Sequence, residues 1–124
     1  MFKKNDPKLE TFIGSNSSLK GNIRTQGTLR IDGTCEGEIE ADWIIVGETG
    51  RLTGNAQAKC IIVGGCIDGN LKAEETVEIK SKGQVNGDIS TAKLLVHDGG
   101  ILNGKTSMLN GEVVKMLEFQ REKA

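Results

Sequence analysis

Six copies of one short frame occupy most of this chain, and few folds are open to a chain built that way. Aligned on Gly83-Gln84-Val85-Asn86-Gly87-Asp88-Ile89, the copies begin at residues 17, 33, 50, 65, 83 and 100, with steps of 16, 17, 15, 18 and 17. Each copy follows Gly-x-aliphatic-x-Gly-x-aliphatic, with Ser17 in place of the first glycine and Cys35, Ala56 and Thr106 at three of the aliphatic positions. A unit of that length cannot bury an apolar face alone, so a fixed period near it predicts a solenoid whose units cover one another.

Within the repeat the short-range period is two. In Leu52-Thr53-Gly54-Asn55-Ala56-Gln57-Ala58 every other residue is apolar or small and those between are polar, which predicts a strand with one buried face. The same phase sets Leu19, Cys35, Leu52, Ile67, Val85 and Leu102 in one inward column, and Ile23, Ile39, Ala56, Leu71 and Ile89 in a second. Between the columns stands a glycine in every copy: Gly21, Gly37, Gly54, Gly69, Gly87 and Gly104. Either backbone from another part of a narrow coil comes close there, or the glycine makes a bulge or positive-φ corner. The spacing leaves both open. A second aliphatic pair follows each copy, as in Leu29 and Ile31, Ile44 and Val46, Ile61 and Val63, Val77 and Ile79, Leu94 and Val96.

Spacing inside the pairs and between the columns is constant, and length varies only in segments such as Glu48-Thr49-Gly50, Ser81-Lys82-Gly83 and Asp98-Gly99-Gly100. Insertions confined in that way belong in corners, which absorb them while the strands stay in register. The expected fold is therefore all-β: a single-domain parallel β-helix of about six coils, a rod roughly 29 Å long at the ordinary ladder spacing. Its sides have no free edge, but its first and last coils do, and such ends must be capped or stacked on another copy. Capping looks thin. Thr11-Phe12-Ile13-Gly14 is a short lead-in, Asn110-Gly111-Glu112-Val113 is at most a partial end turn, and Val113, Met116 and Leu117 suit one or two helical turns. The folded domain is expected over 11–108, with flexible tails at 1–10 and 109–124.

Composition removes several function classes. Aromatic residues are 3% of the chain, with Trp43 the single tryptophan, which leaves little to stack on nucleic-acid bases. A net charge of −1 gives no electrostatic footprint for a polyanion. No apolar run reaches the ~20 residues of a membrane span, and no signal-peptide segment follows the first lysines, so the expected location is the cytoplasm. Cys35, Cys60 and Cys66 form neither a disulfide framework nor a metal pattern and are expected to be reduced thiols, Cys35 inside and Cys66 outside. Met1-Phe2-Lys3-Lys4 joins an aromatic ring to two cations and is a candidate peripheral membrane anchor.

The opening Thr11-Phe12-Ile13-Gly14, the run Leu29-Arg30-Ile31-Asp32-Gly33-Thr34-Cys35-Glu36-Gly37-Glu38-Ile39 and the closing Gly100-Ile101-Leu102-Asn103-Gly104-Lys105 resemble a bactofilin, from about Thr11 to Met108. That resemblance implies a right-handed β-helix of triangular section that stacks end to end into non-polar filaments without nucleotide, as a bacterial cytoskeletal scaffold. It implies self-association as the main partnership, with Ile13 and Leu19 at one end and Ile101, Leu102 and Met108 at the other as the polymer interface. It also implies attachment to the inner membrane through Met1, Phe2, Lys3 and Lys4, and no cofactor. The position beside Asn103, often aromatic in the family, is Leu102.

Left-handed β-helix acyltransferases are the rival enzymes. They keep an unbroken six-residue period and a histidine base, whereas this chain has unequal corners and a single histidine, His97, expected as a solvated turn residue. Asp98 cannot pair with it, because neighbours on an extended strand point to opposite faces. Gly64-Gly65-Cys66-Ile67-Asp68 lacks the nine-residue recurrence of calcium-binding repeats. Gly47-Glu48-Thr49-Gly50 lacks the phosphate-loop lysine, and Glu74-Glu75 suits a solvated face. A monomeric solenoid that binds protein partners along its sides is the third reading.

Overall fold

The computed structural model describes residues 9–108; the tail expected over 109–124 and residues 1–8 of the one expected over 1–10 lie outside them, while Leu9 and Glu10 belong to the first strand. The chain enters through β1 (Leu9–Ile13) and continues through β2 (Ser18–Lys20), β3 (Ile23–Arg24) and β4 (Thr28–Ile31). The next coil is β5 (Thr34–Glu36), β6 (Ile39–Glu40) and β7 (Trp43–Val46). In the following coils the last two sides merge into one long bent strand: β8 (Arg51–Thr53) with β9 (Ala56–Val63), then β10 (Cys66–Asp68) with β11 (Leu71–Ile79). β12 (Gln84–Asn86) precedes β13 (Ile89–Val96), and β14 (Ile101–Asn103) and β15 (Thr106–Met108) close the described chain.

These strands form a parallel β-solenoid of about six turns with three faces, and no helix occurs among the described residues. Face one is the ladder β2-β5-β8-β10-β12-β14. Its pairing runs without a slip through Leu19, Cys35, Leu52, Ile67, Val85 and Leu102. Face two begins with Ile23 on Ile39 on Ala56 on Leu71 on Ile89 on Thr106. Face three stacks Ile13, Ile31, Val46, Val63, Ile79 and Val96. Each face therefore has six rungs. The inward columns make one continuous core in which Leu29, Ile44, Leu52, Ile61, Ile67, Val77, Val85 and Leu94 are all 0% exposed.

The strand expected over Leu52–Ala58 is two strands, because β8 stops at Thr53 and β9 starts at Ala56. Gly54 between them is a corner with φ of 131°, and the equivalent glycines of the other copies share that conformation. Both readings of the column hold together. A Cβ on Gly87 would overlap the Gly69 carbonyl oxygen of the preceding coil, so the corner needs a positive φ and has no room for a side chain. At these corners side chains take up backbone donors: Asn55 Oδ1 accepts from Asn70 N–H at 3.3 Å and Asn70 Oδ1 from Asp88 N–H at 3.1 Å.

One length difference and one additional rung have local explanations. Val77 lies six rather than five positions after Leu71 because the register slips between Ala73 and Thr76, a bulge at Glu74-Glu75. The bulge brings Glu75 over Cys60, whose Sγ lies 3.6 Å from Glu75 Oε1. Thr11-Phe12-Ile13 is more than a lead-in: β1 pairs with β4 as a full rung of face three, which makes Ile13 a core residue. Gly14 then accepts from Ser17 N–H at 2.9 Å, turning the chain toward face one.

Candidate functional site at the two open ends

A rung inside the stack has a neighbour above and below, and a terminal rung has one. Among the described residues β1, β2 and β3 pair only with β4, β5 and β6, and β14 and β15 pair only with β12 and β13. Their outer edges are rows of peptide groups open to another strand. Side chains show the same loss of cover. Along the first inward column Cys35, Leu52, Ile67 and Val85 are 0% exposed, whereas Leu19 at the entry end is 38% exposed. Leu102 at the far end is half-buried against the core.

The large apolar side chains that are exposed among the described residues are Phe12, Leu19 and Ile101, all in terminal rungs. Leu19 and the half-buried Ile23 form the apolar cross-section at the entry end. Ile13 shares that end but is only 6% exposed. At the far end Leu102 is joined by Thr106, which replaces the aliphatic residue of the earlier coils. Ile101 pairs with Gln84 in the outward column of face one, so it rims that cross-section instead of filling it. Met108 pairs with Thr91 at the end of face two, and Met1, Phe2, Lys3 and Lys4 lie outside the described residues. Phe12 is 55% exposed on the outer side of β1, and in the sequence it reads only as part of the lead-in, because a single strand carries no period of its own.

Polar ladders run along face one to the same far end. Asn103 Nδ2 donates to Asn86 Oδ1 at 2.8 Å, and Asn86 Nδ2 donates to Asp68 Oδ1 at 2.7 Å. At the entry end Lys20 and Glu36 are 3.9 Å apart and Arg24 and Glu40 3.4 Å, exposed pairs that contribute little.

Among the described residues the histidine and the cysteines stand apart from one another. His97, expected as a solvated turn residue, is still half-exposed, but its Nε2 lies 2.6 Å from Glu78 Oε2 one coil earlier. Burial, reinforced by Glu36, pushes the Cys35 thiol up, and burial with Glu75 pushes Cys60 up. Both are held as neutral thiols. Among the described residues no group of three His, Cys, Asp or Glu could hold a metal, and no helix is long and apolar enough to cross a membrane.

Comparison with known proteins agrees with this geometry. BacP and BacO of Myxococcus xanthus (strain DK1622), both bactofilins, are each 30% identical to the chain over 99 residues, 79% of its length. The chain spans 41% of BacP and 79% of BacO. A cryo-EM reconstruction of Thermus thermophilus bactofilin double helical filaments has the same fold, with a TM-score of 0.70 at 24% identity over 79% of this chain and 98% of that one. The family model described as "Bactofilin: Polymer-forming cytoskeletal" matches residues 11–107, and the chain belongs to that family.

Proposed function

We propose that the protein stacks end to end, without nucleotide, into non-polar filaments that serve as a scaffold rather than a catalyst. One observation carries this reading: among the described residues the first inward column is fully buried through the middle rungs and uncovered at its two ends, Leu19 38% exposed and Leu102 half-buried, where the strands also have a described partner on one side only. Stacking would cover both at once. Like end meeting like end gives an isologous junction, in which alternate subunits point in opposite directions and the filament has no polarity. No chemical step is needed to make such a junction, since covering apolar surface and pairing strand edges is favourable as it stands.

The test is assembly in plain buffer with neither nucleotide nor metal, followed by light scattering and negative-stain microscopy. Filaments are expected. A species that stays at the 13.3 kDa of one chain would favour the monomeric binding module instead. A requirement for ATP or GTP, or a reconstruction with every subunit pointing the same way, would count against the reading.

Attachment to the cytoplasmic face of the inner membrane is the second part of the proposal, resting on Met1-Phe2-Lys3-Lys4. Burying Phe2 is worth about 2 kcal/mol, and each lysine adds roughly 1 kcal/mol at an anionic surface. The sum corresponds to a dissociation constant on the order of millimolar, too weak to hold one subunit. A filament carries many such tails and gains avidity without a new contact. Deleting residues 1–4 should leave filaments intact and release them from anionic liposomes in a sedimentation assay; undiminished binding would exclude the anchor.

A further inference from the structure

The outward columns of the three faces differ in chemistry. One outward column of face one runs Lys20, Glu36, Thr53, Asp68, Asn86 and Asn103, the other is polar except for Cys66 and Ile101, and the outward column of face two is polar throughout from Arg24 to Ser107. On face three the outward residue between each aliphatic pair runs Phe12, Arg30, Ile45, Ile62, Glu78 and Leu95 from the first rung to the last. Ile45, Ile62 and Leu95 are half-buried, and Phe12 is exposed. Alternation calls for polar residues there, so the runs Ile44-Ile45-Val46, Ile61-Ile62-Val63 and Leu94-Leu95-Val96 are apolar on both sides of the strand.

The order of that column is its own complement when reversed. Turning a second rod end for end, about an axis along the strands midway between the third and fourth rungs, sets the first rung on the sixth, the second on the fifth and the third on the fourth. Phe12 then faces Leu95, Arg30 faces Glu78 and Ile45 faces Ile62. The column one step further along the strands behaves alike. It runs through Asp32, Gly47, Gly64 and Lys80, so Asp32 falls opposite Lys80, and the two central positions are buried glycines that bring no charge. On the other side, Asp42 and Lys59 precede the paired Trp43 and Cys60 and would also face each other. Within each chain Arg30 is already paired with Asp32 at 3.1 Å, and Glu78 with Lys80 at 3.8 Å and His97 at 2.6 Å. The two neighbouring columns thus form one charge pair per rung, reversed between the second rung and the fifth, and Asp42 and Lys59 set a further pair of opposite charges together. A two-fold axis along the rod would instead bring Glu78 level with Glu78 and Arg30 level with Arg30.

We propose that face three is a pairing surface for a second copy of this chain, laid antiparallel about that two-fold axis. The apolar residues give the contact its area, and the opposed charges fix direction and register. A strip roughly 29 Å by 13 Å covers about 400 Å² on each partner, half of what a stable complex of standard size covers. Lone subunits consequently pair weakly, and lateral pairing builds up where many subunits are already in line.

The test uses the full chain and charge reversal. Wild-type filaments are expected side by side in negative stain. Arg30→Glu alone and Glu78→Arg alone should each give single filaments of undiminished length, and the chain carrying both changes should recover the pairs. Wild-type filaments that are always single, or single variants that remain paired, would overturn the surface; separation without recovery in the double variant would overturn the antiparallel register. A second measurement does not depend on filaments, so failure of end-to-end stacking would not hide the answer. Ile45→Cys and Ile62→Cys proteins, each also carrying Cys66→Ser, are mixed at high concentration and oxidised. A mixed disulfide dimer several-fold above either self-linked dimer is expected, and its absence would reject the contact. Pairs that form only after removal of residues 109–124 would assign the face to that segment of the same chain instead.

Discussion

Val85 and Leu102 occupy the same place in successive coils, on adjacent rungs of one ladder. Val85 is 0% exposed, while Leu102 remains half-buried at the end of the described stack. Leu19, at the opposite end of that column, is 38% exposed. A solenoid therefore gives one sequence position two different energetic roles. In the middle the side chain is core, and at the ends it is core awaiting a neighbour.

The largest separation between the two regions should come from a buried charge. Val85→Arg leaves an unpaired cation between two coils at a cost of about 3–5 kcal/mol, a large share of the 5–15 kcal/mol that ordinarily holds a domain together. Circular dichroism should find it unfolded or melting far below the parent.

Glycine corners give the next contrast. Gly21 and Gly87 have φ of 134° and 149°, but a Cβ on Gly21 meets nothing, whereas one on Gly87 runs into the preceding coil. Gly21→Ala should lose only the conformational part, about 1–3 kcal/mol. Gly87→Ala should lose that and roughly 1–3 kcal/mol more for overpacking. Equal losses in denaturant melts would mean that the coils do not press on each other at the corner.

Leu102→Arg tests the other side of the comparison. Its stability should fall by only about 1 kcal/mol, since the side chain reaches solvent from the open end, yet light scattering should find no filaments. Normal polymerisation of this variant would remove the far cross-section from the interface.

The smallest effect concerns thiols. Burial raises both Cys35 and Cys60, the latter with help from Glu75, so the native chain keeps them protonated. Stability drawn from that is full below the ordinary thiol range and is lost as the pH climbs through and above it. Alkylation of Cys35 and Cys60 should be slow in the native protein and should speed up only with unfolding, with Cys66, half-buried, reacting first.

Much of this was legible without coordinates. The period of the glycine frame, the constant spacing inside the aliphatic pairs and the confinement of length changes to corners determine a parallel solenoid of about six coils. Side chains that repeat in step can all be buried only if like overlies like. The motif of Thr11-Phe12-Ile13 was too short to be recognised as a rung, because one strand carries no period of its own and its place depended on pairing with Thr28–Ile31. Stacking alone decided that the inner glycines are both turn and close approach, since one needs a φ and the other a neighbouring coil. His97 and Glu78 stand nineteen residues apart and meet only because one coil lies on the next. The same holds for face three: the sequence already contains Arg30, Ile45, Ile62 and Glu78, but their order becomes a self-complementary surface only when the coils bring them into one line.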